Sequence, residues 1–449
     1  MPETTGTDTG TSTETETETE AHTATATDAH AHAETGLAAD SGLAADSGTE
    51  AGSTPPTCPF DFNEALEFDP VLADLMHQGP VTRIRLSHGD ADAWLVTGFD
   101  AVRQVTTDRR FSRAAVVGRD FPRMTPEPIF SPESINVIDP PRISRLRRLT
   151  SQAFTKQHVD GMRPAIEAIA DRLLDEMAEH GPPADLVHHL SDQLPQHTIC
   201  ELLDIAPADR PWLQRSALRM LSMTPGSRQT AADAKAEIIG FFRELTAERR
   251  RSPGEDLISL LATAKDGDDM LDDEELAVMA ETLMLSGHDT ATCQISDICY
   301  LLLTRPELAD RLRSRPETLT RALDELLRYI PFRNGVGIPR LATEDAEIAG
   351  VPVRAGDFVH VSYLTANRDP ERFPAPDVID LDRPPTPHMT FGWGGHRCIA
   401  VPLAMAELET AIGRLLSRFP GLRLAVPAEE VRWDTRTIRR FPHELPVTW

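Results

Sequence analysis

The chain is poor in several features that mark common protein classes. Its five cysteines are odd in number and irregularly spaced, which argues against a disulfide framework and favours a reducing compartment. No run approaches the ~20 apolar residues that a membrane-spanning helix needs. The N-terminus lacks the basic start and the apolar segment of a signal peptide. We therefore expect a soluble, cytoplasmic protein that does not enter a membrane.

Positive charge is also scarce. The sequence has 45 Lys and Arg residues against 71 Asp and Glu residues, which gives a formal net charge of -26. Only three of the basic residues are lysines. Because a surface that binds nucleic acid must be basic, we expect no nucleic-acid partner.

The first 54 residues differ in composition from the rest of the chain. They contain eleven acidic residues, no Lys or Arg and almost no large apolar side chains, and the hexapeptide that begins at Gly36 repeats at Gly42. Such a segment cannot bury enough apolar surface to offset the entropy lost on ordering. We predict a disordered acidic tail over residues 1–54 and one folded domain over residues 55–449.

Helical periodicity dominates the folded part. Apolar residues recur at helical spacing from Val159 to Met177. The longest predicted helix runs from Asp272 to about Thr304, begins with an Asp-x-x-Glu capping box, and is apolar enough on several sides to be buried. Further predicted elements are helices over 189–203, 231–248 and 316–329 and strands over 81–86, 93–97, 347–353 and 358–361. The predicted fold class is therefore mainly α with a small β portion.

One cysteine, Cys398, has an unusual sequence environment. It ends the segment Phe391-Gly392-Trp393-Gly394-Gly395-His396-Arg397-Cys398, and a predicted helix follows directly. Glycine permits backbone angles that side chains forbid, and the N–H groups at a helix start favour a thiolate. A thiolate held in this way serves as a metal ligand or as a nucleophile, and the local sequence leaves both open.

The long predicted helix contains a local conflict. Ser286-Gly287-His288-Asp289-Thr290 places a glycine, and residues that compete for backbone hydrogen bonds, inside a buried helix. Such conflicts gather at functional sites. Either the helix kinks at a ligand while Asp289 and Thr290 relay protons, or Gly287 packs against another helix while Thr290 bonds back to a carbonyl group. The residues alone do not decide between these interpretations.

Two further groups of charged residues are candidates for function. Glu325 and Arg328 lie three residues apart on one predicted helix face, and flanking leucines suggest that the pair is buried and structural. Arg147, Arg340 and His396 could together bind two carboxylates. Each of these three could equally be an ordinary surface charge.

These segments, in this order, resemble the cytochrome P-450 family, the haem-thiolate monooxygenases, and in particular its soluble bacterial, actinomycete-type members. The resemblance covers Pro55 to Trp449, and the stretch from Asp139 to Arg148 looks like the family's C helix. Its main motifs are the haem-loop pattern Phe-x-x-Gly-x-x-x-Cys, the oxygen-binding helix motif and Glu-x-x-Arg. The residues that match them are Phe391, Gly394, Cys398, Gly287, Asp289, Thr290, Glu325 and Arg328.

The resemblance implies a P-450 fold with haem b between a long distal helix and the cysteine loop with its proximal helix. It implies Cys398 as the thiolate ligand of the iron. The residues implied to bind haem and its propionates are Arg147, Arg340, His396, Phe391, Gly392, Gly394 and Ala400. Ser286, Gly287, Asp289 and Thr290 are implied at the oxygen site, and Glu325 and Arg328 in structural support. The implied walls of the substrate pocket are Val116, Val117, Phe130, Leu283, Met284, Val336, Ile338 and Ile438.

Four positions depart from the family pattern. Ala400 and Ser286 stand where the family usually has smaller residues, and Ile143 stands where bacterial relatives often have a histidine that binds a propionate. The segment from Pro376 lacks the family's usual arginine, which Arg383 would replace. None of these changes removes the thiolate or the acid–alcohol pair, so we expect an active enzyme.

The resemblance also implies how the enzyme would work. It would activate O2 with two electrons from NAD(P)H, delivered by a separate ferredoxin and ferredoxin reductase that dock on a basic face of C-helix arginines and Arg397. Its substrate would be an apolar or aromatic small molecule of bacterial secondary metabolism, oxidised by hydroxylation, coupling, desaturation or epoxidation in a monomeric enzyme. Two alternatives stay open: a haem-thiolate enzyme that uses peroxide, and a non-catalytic haem or carrier-protein binding module.

Overall fold

Helices make up most of the chain in the computed structural model, which describes residues 55–58, 65–125, 128, 132–220, 228–332, 336–433 and 440–449. The α-helices in these residues are α1 (Pro70–Gln78), α2 (Phe99–Thr107), α3 (Arg142–Thr150), α4 (Lys156–His180), α5 (Gln193–Leu202), α6 (Arg210–Met220), α7 (Arg228–Arg251), α8 (Leu257–Thr263), α9 (Asp273–Thr304), α10 (Pro306–Ser314), α11 (Leu319–Tyr329), α12 (Tyr363–Ala366) and α13 (Val401–Arg418). The predicted mainly-α class is confirmed. The predicted tail, residues 1–54, lies outside the described residues.

The strands of the described residues form three small sheets. They are β1 (Thr57–Cys58), β2 (Val81–Leu86), β3 (Ala93–Val96), β4 (Phe111–Ser112), β5 (Ala184–Asp185), β6 (Arg340–Ala342), β7 (Ala346–Ile348), β8 (Val351–Val353), β9 (Phe358–Val361), β10 (Arg423–Leu424) and β11 (Pro446–Thr448). The sheet orders are β1-β2-β3-β9-β6-β4, β10-β11-β5 and β7-β8. In the largest sheet β4 runs antiparallel to β6, with Ser112 opposite Leu341. Arg113 follows Ser112 and Arg340 precedes Leu341, so this register brings the two arginines to the same end of the strand pair.

The buried centre of the fold is α9. Its N-cap is Asp272, whose carboxylate accepts the Glu275 N–H at 2.8 Å while the Glu275 carboxylate accepts the Asp272 N–H at 3.2 Å, so the predicted capping box is present. Most residues from Leu276 to Leu302 are buried against helices that include α5, α7 and α13. Although α9 is long, no helix of the described residues combines the length and apolar character needed to cross a membrane.

The predicted elements are present except for one strand, and one helix starts differently from the prediction. The predicted hairpin is present as β2 and β3, and the predicted long helix as α9. The predicted single strand over 347–353 is wrong, because the chain reverses within it to form β7 and β8. Ala349 and Gly350 have φ values of 47° and 85° at that reversal, and such left-handed angles cannot continue a strand. The predicted helix over 189–203 begins as a π-helical turn, Val187–Ser191, before α5.

Candidate active site

The loop before Cys398 is held by backbone contacts that only glycine permits. The Cys398 N–H donates to the Phe391 carbonyl oxygen at 2.8 Å. Gly392 and Gly394 have φ values of +74° and +70°, and a Cβ at Gly394 would lie 2.4 Å from the Thr106 carbonyl oxygen. Because a backbone carbonyl cannot move aside as a side-chain end can, residue 394 must be glycine for the loop to pack against α2.

The Cys398 thiol lies just before α13, with donors and cations nearby. Its side chain is solvent-accessible, yet the surrounding protein partly desolvates it. This desolvation raises the pKa of the Cys398 thiol, while the Ala400 N–H and the guanidinium groups of Arg147 and Arg397 act in the opposite direction. Arg147 is held beside the loop because its Nη1 donates to the Arg397 carbonyl oxygen at 2.7 Å. The sulfur therefore has partners that stabilise a thiolate.

A buried cluster of cations lies beside the cysteine loop. Arg113 and Arg340 are almost fully buried. Burial lowers the pKa of Arg113 to about 9, and repulsion from Arg340 adds to this effect. Burial, followed by the charges of Arg113 and Arg340, holds the pKa of His396 far below its usual value. Burial alone would raise the pKa of the Tyr363 hydroxyl, but the same two guanidinium groups outweigh it and the pKa is lowered.

This cation cluster fits the two propionates that the resemblance implies. Within the described residues, neither terminal nitrogen of the Arg340 guanidinium has a hydrogen-bond partner, and His396 Nδ1 has none. Arg113 Nη1 donates to the Asn136 carbonyl oxygen at 2.8 Å. This carbonyl oxygen carries no full negative charge, so it does not neutralise the guanidinium group. Buried donors without acceptors are costly, and two carboxylates would supply both the acceptors and the missing negative charge. The donor set and the nearby thiol therefore suit haem.

Two residues of the cluster, Arg113 and Tyr363, were not predicted from the sequence. Arg113 precedes the small and apolar run Ala114-Ala115-Val116. The only sequence feature that could have indicated its role is a charged residue three positions before Val116, a predicted pocket residue. Its neighbour Arg340 is far away in the chain. Only the register between β4 and β6 shows that the two meet.

The segment Ser286–Thr290 supports parts of both interpretations made from the sequence. Thr290 Oγ1 donates to the Ser286 carbonyl oxygen at 2.8 Å, and a Cβ at Gly287 would lie 3.1 Å from Ile199 Cδ1. Gly287 therefore packs against α5, and α9 runs unbroken through the segment. Asp289 and Thr290 nevertheless line a cavity on another side of the helix.

This cavity has a volume of about 550 Å³ and mostly apolar walls. The predicted wall residues Val116, Val117, Val336 and Ile338 line it, and α7 contributes the small side chains of Ala231, Ala232 and Ala236. The volume lies within the range of small-molecule sites, and an apolar wall with few polar groups is their usual design. The cavity is therefore the candidate substrate site.

Four other predicted wall residues have different outcomes. Leu283 and Met284 belong to the buried hydrophobic core and are not among the described residues that line the cavity. Leu283 comes one turn too early on the helix, since positions on one side recur every three to four residues. The wall contributed by α9 consists of Leu285, Ser286, Asp289, Thr290 and Cys293. Phe130 and Ile438 lie outside the described residues.

The Glu-x-x-Arg pair forms a buried network. Arg328 donates to both oxygens of Glu325 at 2.8 and 2.9 Å. Arg383 Nε donates to the same two oxygens at 3.1 and 3.0 Å. Arg328 Nη1 also donates to the carbonyl oxygens of Asn367 and Pro376 at 2.9 and 2.8 Å. Arg383 thus contacts the pair as expected, and the network ties α11 to the chain that leads into the cysteine loop.

The basic docking face expected on the C helix, observed as α3, carries less free charge than predicted. Arg145 pairs with Glu275 at 2.8 Å, and Arg148 pairs with Asp266 at 2.7 Å. These ion pairs neutralise charge that the sequence left unassigned. Arg397, in the cysteine loop, is exposed.

Comparisons with known proteins agree with this geometry. The family model described as Cytochrome P450 matches residues 184–423. Nocardicin C N-oxygenase of Nocardia uniformis is 44% identical over 87% of this chain and 98% of its own length. Biflaviolin synthase of Streptomyces coelicolor is 43% identical over 85% of this chain and 93% of its own length.

Solved structures give the same result. The crystal structure of cytochrome P450mel 107F1, described as having biaryl coupling reactivity, is 59% identical to this chain. It superposes with a TM-score of 0.86 over 88% of this chain and all of its own length. The chain therefore belongs to the cytochrome P450 family, the haem-thiolate monooxygenases.

Proposed function

We propose that this monooxygenase oxidises an apolar or aromatic small molecule of bacterial secondary metabolism. The electrons come from NAD(P)H through a ferredoxin and its reductase, as the resemblance to soluble bacterial members of the family implies. The observation that carries the proposal is the cavity of about 550 Å³, where an apolar wall meets the acid–alcohol pair Asp289 and Thr290. Such a pocket holds an apolar molecule in one orientation through a few polar groups.

Aromatic coupling is the reaction most strongly supported by the similar proteins. The solved structure that is 59% identical is described as having biaryl coupling reactivity. Oxygen insertion is the second candidate, because relatives that are 44% and 40% identical are named nocardicin C N-oxygenase and mycinamicin IV hydroxylase/epoxidase. Both reactions suit an apolar pocket, and the mass of the product separates them.

Each group of site residues has a task in this proposal. Cys398 holds the haem as a thiolate ligand, and the bound haem supplies the chemistry of O2 activation. Arg113 and Arg340 orient the cofactor through its propionates. Asp289 presents a carboxyl group at the cavity wall that can transfer protons, and the neighbouring Thr290 hydroxyl can form hydrogen bonds there. The apolar wall keeps bulk water from the reacting end.

The first test is the absorption spectrum of the purified protein after reduction and addition of carbon monoxide. A strongly red-shifted Soret band is expected, because thiolate ligation by Cys398 produces it. A band at the position of histidine-ligated haem, or no bound haem, would contradict the Cys398 assignment.

The second test measures turnover with a naphthol as the probe substrate, a surrogate ferredoxin system and NAD(P)H. A coupled product has twice the mass of the probe minus two hydrogen atoms. A product of oxygen insertion has the mass of the probe plus one oxygen atom. Thr290→Val should lower product per NAD(P)H by at least about tenfold. Thr292→Val is the matched control, since Thr292 is buried on α9 and bonds the His288 carbonyl oxygen at 3.1 Å. Turnover with peroxide alone, and none with NAD(P)H, would favour the peroxide-using alternative.

A further inference from the structure

A row of carboxylate, imidazole and carboxylate groups crosses α9 beside the cavity. His288 Nε2 lies 2.9 Å from Asp192 Oδ1, and His288 Nδ1 lies 4.0 Å from Asp289 Oδ1. With 3.6 residues per helical turn, consecutive side chains point in different directions. His288 therefore points to the start of α5, while Asp289 lines the cavity. The row joins these two sides of the helix.

Contact with solvent is greatest at the Asp192 end of this row. The Asp192 side chain is 29% exposed, whereas the side chains of His288 and Asp289 are 7% and 10% exposed. Gln214 Nε2 donates to Asp192 Oδ2 at 2.6 Å and fixes the outer carboxylate. A proton from solvent can thus reach the first member, and the last member lies at the cavity.

The backbone around Asp192 is unusual in a way that serves this contact. Asp192 joins a π-helical turn to α5 with helical backbone angles, φ -82° and ψ -36°, and its carboxylate makes no capping hydrogen bond. Its side chain contacts His288 and Gln214. The π-helical turn Val187–Ser191 directly precedes it, and π segments are frequent at functional sites.

We propose that His288 is a positioning residue that resupplies protons to Asp289 from Asp192. The inference rests on the oxidative function proposed above, in which the reduction of O2 consumes protons. Asp192 takes a proton from solvent and passes it to Nε2, while the Nδ1–H of the same ring passes its proton to Asp289. Exchange between the two neutral tautomers resets the imidazole. One proton crosses the helix, and no electron moves.

The two steps of this relay have different geometries. The 2.9 Å separation between Asp192 and His288 is a hydrogen bond as it stands. The 4.0 Å separation between His288 and Asp289 is too long for one. Rotation of the Asp289 carboxylate, or one bridging water molecule, closes that separation during turnover.

The test compares His288→Gln, Asp289→Asn and the double variant in the haem-loaded protein, with naphthol as the probe. Each single variant should lower product per NAD(P)H by at least about tenfold, with hydrogen peroxide released in its place. The double variant should be no worse than Asp289→Asn, because His288 acts through Asp289. The control is His197→Gln, whose ring lies on α5 and contacts Arg210 at 3.3 Å; it should keep the wild-type yield.

A second measurement does not depend on turnover. The C–O stretching frequency of the reduced, carbon monoxide-bound protein reports the electric field in the cavity. His288→Gln and Asp289→Asn should shift this frequency in the same direction, and His197→Gln should leave it unchanged. Substrate affinity, measured by the spin-state shift, should stay at the wild-type value in His288→Gln, whereas a purely structural role would weaken it.

Several results would overturn the relay. One is a product yield in His288→Gln that equals the wild-type yield. Another is a loss of yield in the double variant that equals the product of the losses in the two single variants. If His288→Gln fails to bind haem, Asp192→Asn replaces it, and an unchanged yield and solvent deuterium effect in that variant would also overturn the inference. Absence of product from the wild type with NAD(P)H would refute the proposed function instead, and the stretching frequencies would still decide on the relay.

Discussion

Glu407 on α13 should make the protein less stable at pH 8 than at about pH 5. Its side chain is buried in the packing between α13 and the core, with 3% of the residue exposed. Burial raises the pKa of Glu407 to about 8 from 4.5, and the nearby Thr198 side chain opposes this only in part. Between these two values the folded state keeps a proton that the unfolded state has lost. The contribution of protonated Glu407 to the free energy of unfolding is therefore fully present below the pKa of the unfolded state. It is lost as the pH rises toward 8.

The expected size of the effect follows from the two pKa values. One unit of pKa difference corresponds to about 1.36 kcal/mol, so the wild type should lose roughly 3–4 kcal/mol of unfolding free energy through Glu407 between about pH 5 and pH 8. Glu407→Gln keeps the shape of the side chain and cannot ionise. The variant should therefore lack this loss and exceed the wild type in stability at pH 8.

Urea unfolding of the haem-loaded protein at both pH values, followed by circular dichroism, measures this difference. Glu409→Gln is the matched control on the same helix, because the Glu409 carboxylate is already paired with Arg163 at 2.9 Å near the surface. It should leave the loss of stability in place. If Glu407→Gln and the wild type lose stability in parallel, Glu407 ionises without penalty in the folded state and the reasoning is wrong.

Two further predictions concern the cofactor loop and the buried ion network. Gly394→Ala should lower haem content, because the new Cβ would lie 2.4 Å from a carbonyl oxygen; Gly395→Ala, with nothing within 4 Å, should not, and a haem assay of the purified proteins decides. Glu325→Gln should cost about 3–5 kcal/mol in urea unfolding, because the buried Arg328 and the partly buried Arg383 lose their carboxylate partner. Glu176→Gln, which removes an exposed ion pair with Arg172, should cost at most about 1 kcal/mol, and equal losses would refute the buried network.

Local signals in the sequence were enough to predict the elements that carry the site. Asp272 and Glu275 specify the start of α9 through a capping box, which depends on residues three apart. Glycines around Cys398 predicted a loop of unusual backbone angles, and Gly392 and Gly394 do have positive φ. In each case the deciding residues lie within a few positions of one another.

Features that depend on distant parts of the chain escaped prediction. The approach of Arg113 to Arg340 requires the β4–β6 register, and no local pattern reports it. The pairing of Arg145 with Glu275 likewise joins residues far apart in sequence, so the free charge on α3 was overestimated. The hairpin of β7 and β8 was missed for another reason, since its two short strands have no break in their apolar pattern other than Gly350.

Glu275 links the two helices that flank the cofactor position. It closes the capping box of α9 and also accepts Arg145 of α3, the helix that carries Arg147. The cavity walls formed by residues 116–124 and by α7 take no part in this link. Substitutions in those walls can therefore reshape the pocket while the relative position of α3 and α9 is kept. New substrates can thus be acquired by exchange of the walls, without rebuilding the frame around the cofactor.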